Sequence, residues 1–127
     1  MEQPRGLAGR HAIEAYGAGG FRFGGMGHRG SLLALPSGLY PWDVVTLADV
    51  TVAALHRLFE EADEIDHVLI GTGDTFALVD DSVVRACRES KIVAEPMATA
   101  AAARTYNILL GERRRVAAAL VAPTALS

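Results

Sequence analysis

Apolar residues recur with two different periods along this chain, and the change between them divides it in half. From residue 13 to residue 43 the period is two. Phe21 and Phe23 flank Arg22, the alternation of a strand with one buried face. It predicts strands at 13–16 and 21–23 joined by a glycine turn. Seven of the thirteen glycines fall between Gly17 and Gly30, where positive φ and close backbone approach come without steric cost. Phe21, Phe23 and Met26 set this run apart from a flexible linker, which carries few large apolar groups. The uncharged run Ser31-Leu32-Leu33-Ala34-Leu35 fits a strand buried on both faces, closed by the turn residues Pro36-Ser37-Gly38. Pro41 then imposes extended backbone on Tyr40.

Beyond residue 50 the period becomes helical. Val52, Leu55, Leu58, Phe59 and Ala62 predict an amphipathic helix with His56, Arg57, Glu60 and Glu61 outward, capped by Asp49 or Thr51. The acidic stretch 60–66 reads as a solvated loop. A buried strand follows at 67–71, with a turn over 71–74. Asp80-Asp81-Ser82 opens a helix to Ser90 whose inward residues are Val83, Val84 and Cys87. A strand at 92–95 is closed by Pro96, an alanine-rich helix runs from Thr99 to about Glu112, and a last strand covers 115–121. Strand–helix–strand units of this kind make parallel pairs with right-handed crossovers. The expected fold is therefore α/β: a three-layer domain with a mixed central sheet covered by helices and a Gly-rich antiparallel β unit. Residues 1–12 read as a flexible leader, 13–122 as a single domain and 123–127 as a tail.

Composition narrows the functional classes. A chain of 127 residues suits one core. A formal charge of −3 gives no basic face for phosphate neutralisation, so nucleic acid is not an expected partner; Arg113-Arg114-Arg115 is short and sits beside Glu112. One cysteine, Cys87, excludes an internal disulfide and multi-cysteine metal sites. The opening residues lack the apolar core of a secretory signal. The longest uncharged apolar stretch, 116–127, falls below the roughly 20 residues of a membrane span. A cytoplasmic setting is expected, with no membrane span and no cofactor.

Catalytic motifs are missing. No nucleophile elbow, phosphate loop or zinc-binding His pair occurs, so no catalytic or metal residue is assigned and the chain reads as non-enzymatic rather than as an enzyme. Three features remain. Gly71, Thr72 and Gly73 leave the carboxyl end of a parallel strand, where open α/β sheets place ligands and glycine lets N–H groups approach an anion. Thr99 starts a helix after the next strand, at the same edge. Arg104 and Asn107 stripe that helix; they either bind a ligand or hold the 71–73 turn, and the satisfaction of neighbouring backbone favours the second. Together these six residues form a candidate cleft for a small molecule or anion. Tyr40 and Trp42 are the third feature, an interaction surface if exposed and a lid on the core if buried.

The strings Tyr16-Gly17, Gly20-Phe21-Arg22-Phe23, Gly30-Ser31-Leu32-Leu33-Ala34-Leu35-Pro36, Trp42, Ile70-Gly71-Thr72-Gly73, Thr99, Arg104-Thr105-Tyr106-Asn107-Ile108-Leu109 and Arg115-Val116-Ala117-Ala118-Ala119-Leu120 appear in order. In this the chain resembles, from about residue 13 to 121, the small domain of unknown function shared with mitochondrial complex I assembly factor 3 and the adipogenesis-associated domain proteins. The resemblance implies a three-layer α/β domain with a mixed sheet and no established catalytic residues. It also implies an action by protein contact, as in the mitochondrial member during assembly of the respiratory NADH:quinone oxidoreductase. The sequence departs from the family pattern at Ala98, where relatives carry Asp or Ser, and at Ala103, where Cys is common. Both departures weaken chemistry at that helix start. The resulting expectation is an assembly-factor-like, protein-binding domain with a protein partner and a capacity to form homo-oligomers; the alternative is a small-molecule or anion-binding protein with weak enzymatic activity.

Overall fold

Alternating side chains along the middle strands sort the interior into two halves, one on each face of a six-stranded sheet. The computed structural model describes residues 7–124. Its strands are β1 (Leu7–Ala8), β2 (Ala15–Gly17), β3 (Gly20–Phe23), β4 (Met26–Arg29), β5 (Ser31–Leu35), β6 (Gly38–Trp42), β7 (His67–Gly71), β8 (Val93–Met97) and β9 (Val116–Leu120). Its α-helices are α1 (His56–Glu60), α2 (Asp81–Glu89) and α3 (Thr99–Gly111). The large sheet has the order β1-β6-β5-β9-β7-β8, and β2-β3-β4 form a separate antiparallel sheet. β7 is parallel to both β8 and β9, while β5 is antiparallel to β6 and β9. The sheet is mixed and the fold class is the one expected from the pattern.

One face carries Leu33, Leu35, Val68, Ile70, Ala117 and Ala119 against Leu55 and Leu58 and against Val83 and Cys87 of α2. The other carries Leu32, Ala34, Leu69, Ala118 and Leu120 against Ala102, Ala103 and Tyr106 of α3 and against Phe21 and Phe23. The glycine-rich sheet and α3 thus share one outer layer. Thr99, Ala102, Ala103 and Tyr106 are the fully buried face of α3, at i, i+3, i+4 and i+7.

Four local differences from the sequence reading have physical causes. The expected helix over 52–62 is broken into 3-10 turns at Ala53–Leu55 and Ala62–Glu64 around the short α1. Val52, Leu55 and Leu58 recur every three residues, which is the 3-10 repeat. Thr51 Oγ1 accepts from Ala54 N–H at 3.1 Å, whereas Asp49 accepts from the N–H groups of Val45 and Thr46. β4 and β6, absent from the reading as separate strands, are supplied by Gly-rich and Pro-containing segments that pair across antiparallel ladders. Pro96 lies inside β8 rather than ending it. Val93 N–H and Met97 C=O bond toward β7, so Pro96 occupies the alternate, outward register of an edge strand, where a missing N–H costs no ladder bond. Leu7–Ala8, within the expected leader, pairs with Gly38 and Leu39 of β6. Residues 1–6 of that leader and residues 125–127 of the expected tail lie outside the described residues.

Among the described residues no helix is long and apolar enough to cross a membrane. Cys87 is fully buried, and burial pushes its thiol up to about 11. Iodoacetamide at pH 8 is expected to leave the folded chain unlabelled over an hour and to label it within minutes in denaturing urea. Equal rates in the two states would place the thiol at the surface.

Candidate functional site

The 71–73 turn and the start of α3 meet, as the sequence suggested, at the edge of the sheet where β7 and β8 end. They meet in direct contact. A methyl group on Gly71 would lie 2.7 Å from Thr99 Oγ1 and 3.0 Å from Thr99 Cα, so glycine is needed for the helix to sit on the strand end. Thr99 Oγ1 donates to Val121 C=O at 2.7 Å and accepts from Gly73 N–H at 2.9 Å; Thr99 N–H donates to Gly73 C=O at 2.9 Å. Thr72 Oγ1 donates to the carbonyls of Thr75 and Met97, at 2.7 and 3.2 Å, and accepts from Ala77 N–H. Thr99 and Thr72 are both buried. The hydroxyls that would meet a bound anion knit three chain segments together instead.

Arg104 and Asn107 face elsewhere. The Asn107 amide donates to Ile13 C=O and accepts from Ile13 N–H, both at 2.8 Å. It takes the place of a strand neighbour for the backbone leading into β2. Arg104 Nη1 donates to Tyr16 Oη at 2.7 Å. The six candidate residues therefore divide into two groups: Gly71, Thr72, Gly73 and Thr99 lock the helix start, and Arg104 and Asn107 fasten the glycine-rich sheet to α3. Holding backbone is the role of Asn107, but the backbone belongs to Ile13 and not to the 71–73 turn. Nothing in the local sequence identifies a partner 94 residues away.

Trp42 is buried, with Nε1 donating to Ala54 C=O at 2.8 Å. Tyr40 is half-buried beneath Arg57, whose guanidinium carbon stands 4.3 Å from the ring centroid. Trp42 borders a depression of about 450 Å³ shared with Asp43, Ala53 and His56. Of the two readings of this pair, the geometry matches a lid on the core.

A surface that the sequence reading did not single out lies at the same sheet edge. β6, β7, β8 and β9 run in one direction, so the loops that follow β6 and β7 emerge together. These loops expose Val45 (75%), Phe76 (60%) and Leu78 (75%). Leu78 and Val79 from one loop and Leu47 and Val50 from the other line a single depression of about 510 Å³. Single exposed apolar residues are ordinary, whereas several on converging loops mark a contact surface. The sequence signal was faint: three large apolar residues, Phe76, Leu78 and Val79, within the turn-rich stretch 71–80. Among the described residues no cluster of three or more His, Cys, Asp or Glu side chains is placed to hold a metal ion.

Comparison with known proteins bears on what this arrangement is for. A family model described as "Protein of unknown function (DUF498/DUF598)" matches residues 13–121. An uncharacterized protein of Rhodobacter capsulatus is 42% identical over 116 residues, covering 91% of this chain and 88% of that protein. NADH dehydrogenase [ubiquinone] 1 alpha subcomplex assembly factor 3 of Xenopus tropicalis is 31% identical over 111 residues, covering 87% of this chain; the chain spans 61% of that protein's length. A crystal structure described as an outer membrane protein from Bartonella henselae superposes with a TM-score of 0.89 at 43% identity, covering 92% of this chain and 98% of that one.

Proposed function

This chain belongs to the DUF498/DUF598 family of proteins of unknown function, and from that premise we propose that it is a non-enzymatic protein-binding domain, assembly-factor-like in role and cytoplasmic in setting. Its homology to the complex I assembly factors supports such a role. The observation that carries the reading is the exposure of Val45, Phe76 and Leu78 on the loops that follow β6 and β7 at one end of the sheet. Large apolar side chains left in water at the end of a well-packed sheet gain by burial against a partner. The partner is a protein with a complementary apolar patch. A small-molecule site between the 71–73 turn and Thr99 has less support, since a ligand there would have to displace the internal bonds of both hydroxyls.

The test is affinity capture from the source cells under gentle lysis, with the parent chain and with a Phe76→Glu/Leu78→Glu variant. The parent is expected to recover a reproducible partner and the variant to lose it at least about tenfold, the loss of a small interface hot spot. Because both side chains are exposed, the variant's melting temperature should stay within about 2 °C of the parent. Recovery of no partner, or equal recovery by the variant, would overturn the reading.

A further inference from the structure

The glycine-rich sheet turns its second face outward, on the side away from the core. Strand register fixes what it presents. Ala15, Arg22 and Gly27 stand side by side across β2, β3 and β4, and Gly17, Gly20 and Arg29 form the next row. Phe21 and Phe23, on the alternate positions, are buried beneath. The floor is thus glycine and alanine, and two arginines at diagonal positions stand above it. This face lines an open groove of about 490 Å³. A methyl group on Gly20 would strike His28 C=O at 2.1 Å, so the flat floor is also what the backbone requires.

The charge here is unbalanced. Among the described residues no carboxylate lies within ion-pair distance of Arg22 or Arg29; the nearby Glu14 carboxylate accepts from Gly25 N–H instead. Arg85, Arg114 and Arg115 each face a carboxylate elsewhere on the molecule. In a chain of net charge −3, this is a local concentration of the opposite sign.

We propose that the outward face of β2-β3-β4 binds an acidic polypeptide segment in extended conformation, with carboxylates on alternate residues meeting Arg22 and Arg29. Diagonal neighbours across an antiparallel ladder have Cβ atoms roughly 7–8 Å apart. Alternate side chains of an extended strand repeat at roughly 6.6–6.8 Å on one face. The two spacings match, and each guanidinium can fork a carboxylate. An open groove covers only one side of its ligand, whereas small-molecule sites enclose theirs; that favours a chain over a free phosphate. The inference rests on the protein-contact reading only in taking the carrier of the charge to be a polypeptide.

Fluorescein-labelled peptides test it directly. One alternates Glu and Ser over six residues; a second has the same composition with the three Glu together. In anisotropy titrations at low ionic strength the alternating peptide is expected to bind more tightly than the blocked one, and to weaken with added salt. Arg22→Glu/Arg29→Glu should weaken it about tenfold or more, as two exposed attractions become repulsions. Arg22→Gln/Arg29→Gln serves as the milder variant should the reversal perturb folding, and a smaller loss is expected. No binding, binding unaffected by either double variant, or equal affinity for the blocked peptide would overturn the proposal. So would full displacement by equimolar inorganic phosphate, which would identify a small-anion site. These outcomes are independent of the capture experiment, whose variant alters the opposite feature, the apolar edge.

Discussion

Replacing Thr99 by valine is expected to destabilise the fold by about 3 kcal/mol, measured by urea denaturation with an unchanged slope. Valine keeps the shape and removes the hydroxyl. Val121 C=O then loses its donor and Gly73 N–H its acceptor, in a position with no exposure to water. A buried polar group stripped of its partner costs about 1–3 kcal/mol, and Gly73, being half-buried, falls toward the lower end. Thr99→Ser retains both bonds and should lose only about 1 kcal/mol for the missing methyl. A valine variant within about 0.5 kcal/mol of the parent would mean that this hydroxyl is not a clamp, and would return it to the candidate ligand residues. The experiment therefore decides between the two readings of the helix start.

Tyr106→Ala is expected to cost about 4 kcal/mol, the range for deleting a fully buried aromatic ring. The ring lies in the layer where α3, the large sheet and the glycine-rich sheet converge, in company with Phe21, Phe23, Leu69 and Ala118. Its hydroxyl contributes little, since the bond to His11 C=O is long at 3.4 Å, so Tyr106→Phe should lie within about 1 kcal/mol of the parent. Burial also pushes the phenol up from 10.0 to about 12. The unfolded chain then ionises before the folded one. The folded state binds more protons above pH 10, and stability falls as pH rises from about 10 toward 12. Tyr106→Phe removes that part of the alkaline loss. A phenylalanine variant with the same alkaline profile as the parent would assign the loss to other groups.

What could be read from the sequence was decided by local chemistry. The alternation at Phe21 and Phe23, the uncharged run at 31–35 and the alanine-rich helix from Thr99 each carry their period within a few residues. Strands and helices built on such patterns fell close to their expected places. Boundaries slipped where the pattern was ambiguous. Val52, Leu55 and Leu58 fit a 3-10 repeat as well as an α-helical one, and a proline inside an edge strand looks in sequence like a terminator.

Site assignments were less legible, because a polar side chain's role depends on what stands opposite it. Asn107 was recognisable, with Arg104, as a polar stripe in an alanine-rich helix, and Thr99 as the start of that helix at the sheet edge, a placement that followed from strand–helix order. That Thr99 clasps Gly73 and Val121 while Asn107 takes both backbone groups of Ile13 depends on contacts between residues far apart in the chain. Trp42 gave no local sign of whether it was lid or anchor; the nearness of Ala54 C=O decided it.

The α/β class, the glycine-rich unit and the inward-facing Cys87 could be read from the chain alone, since period and residue type are local properties. Which polar groups are already satisfied, and which surfaces are left facing water, emerged only once the elements were packed together. Those depend on strand direction and register: parallel strands bring the loops bearing Val45, Phe76 and Leu78 to one edge, and the antiparallel ladder sets Arg22 and Arg29 on one face. Neither arrangement is carried by any short stretch of chain.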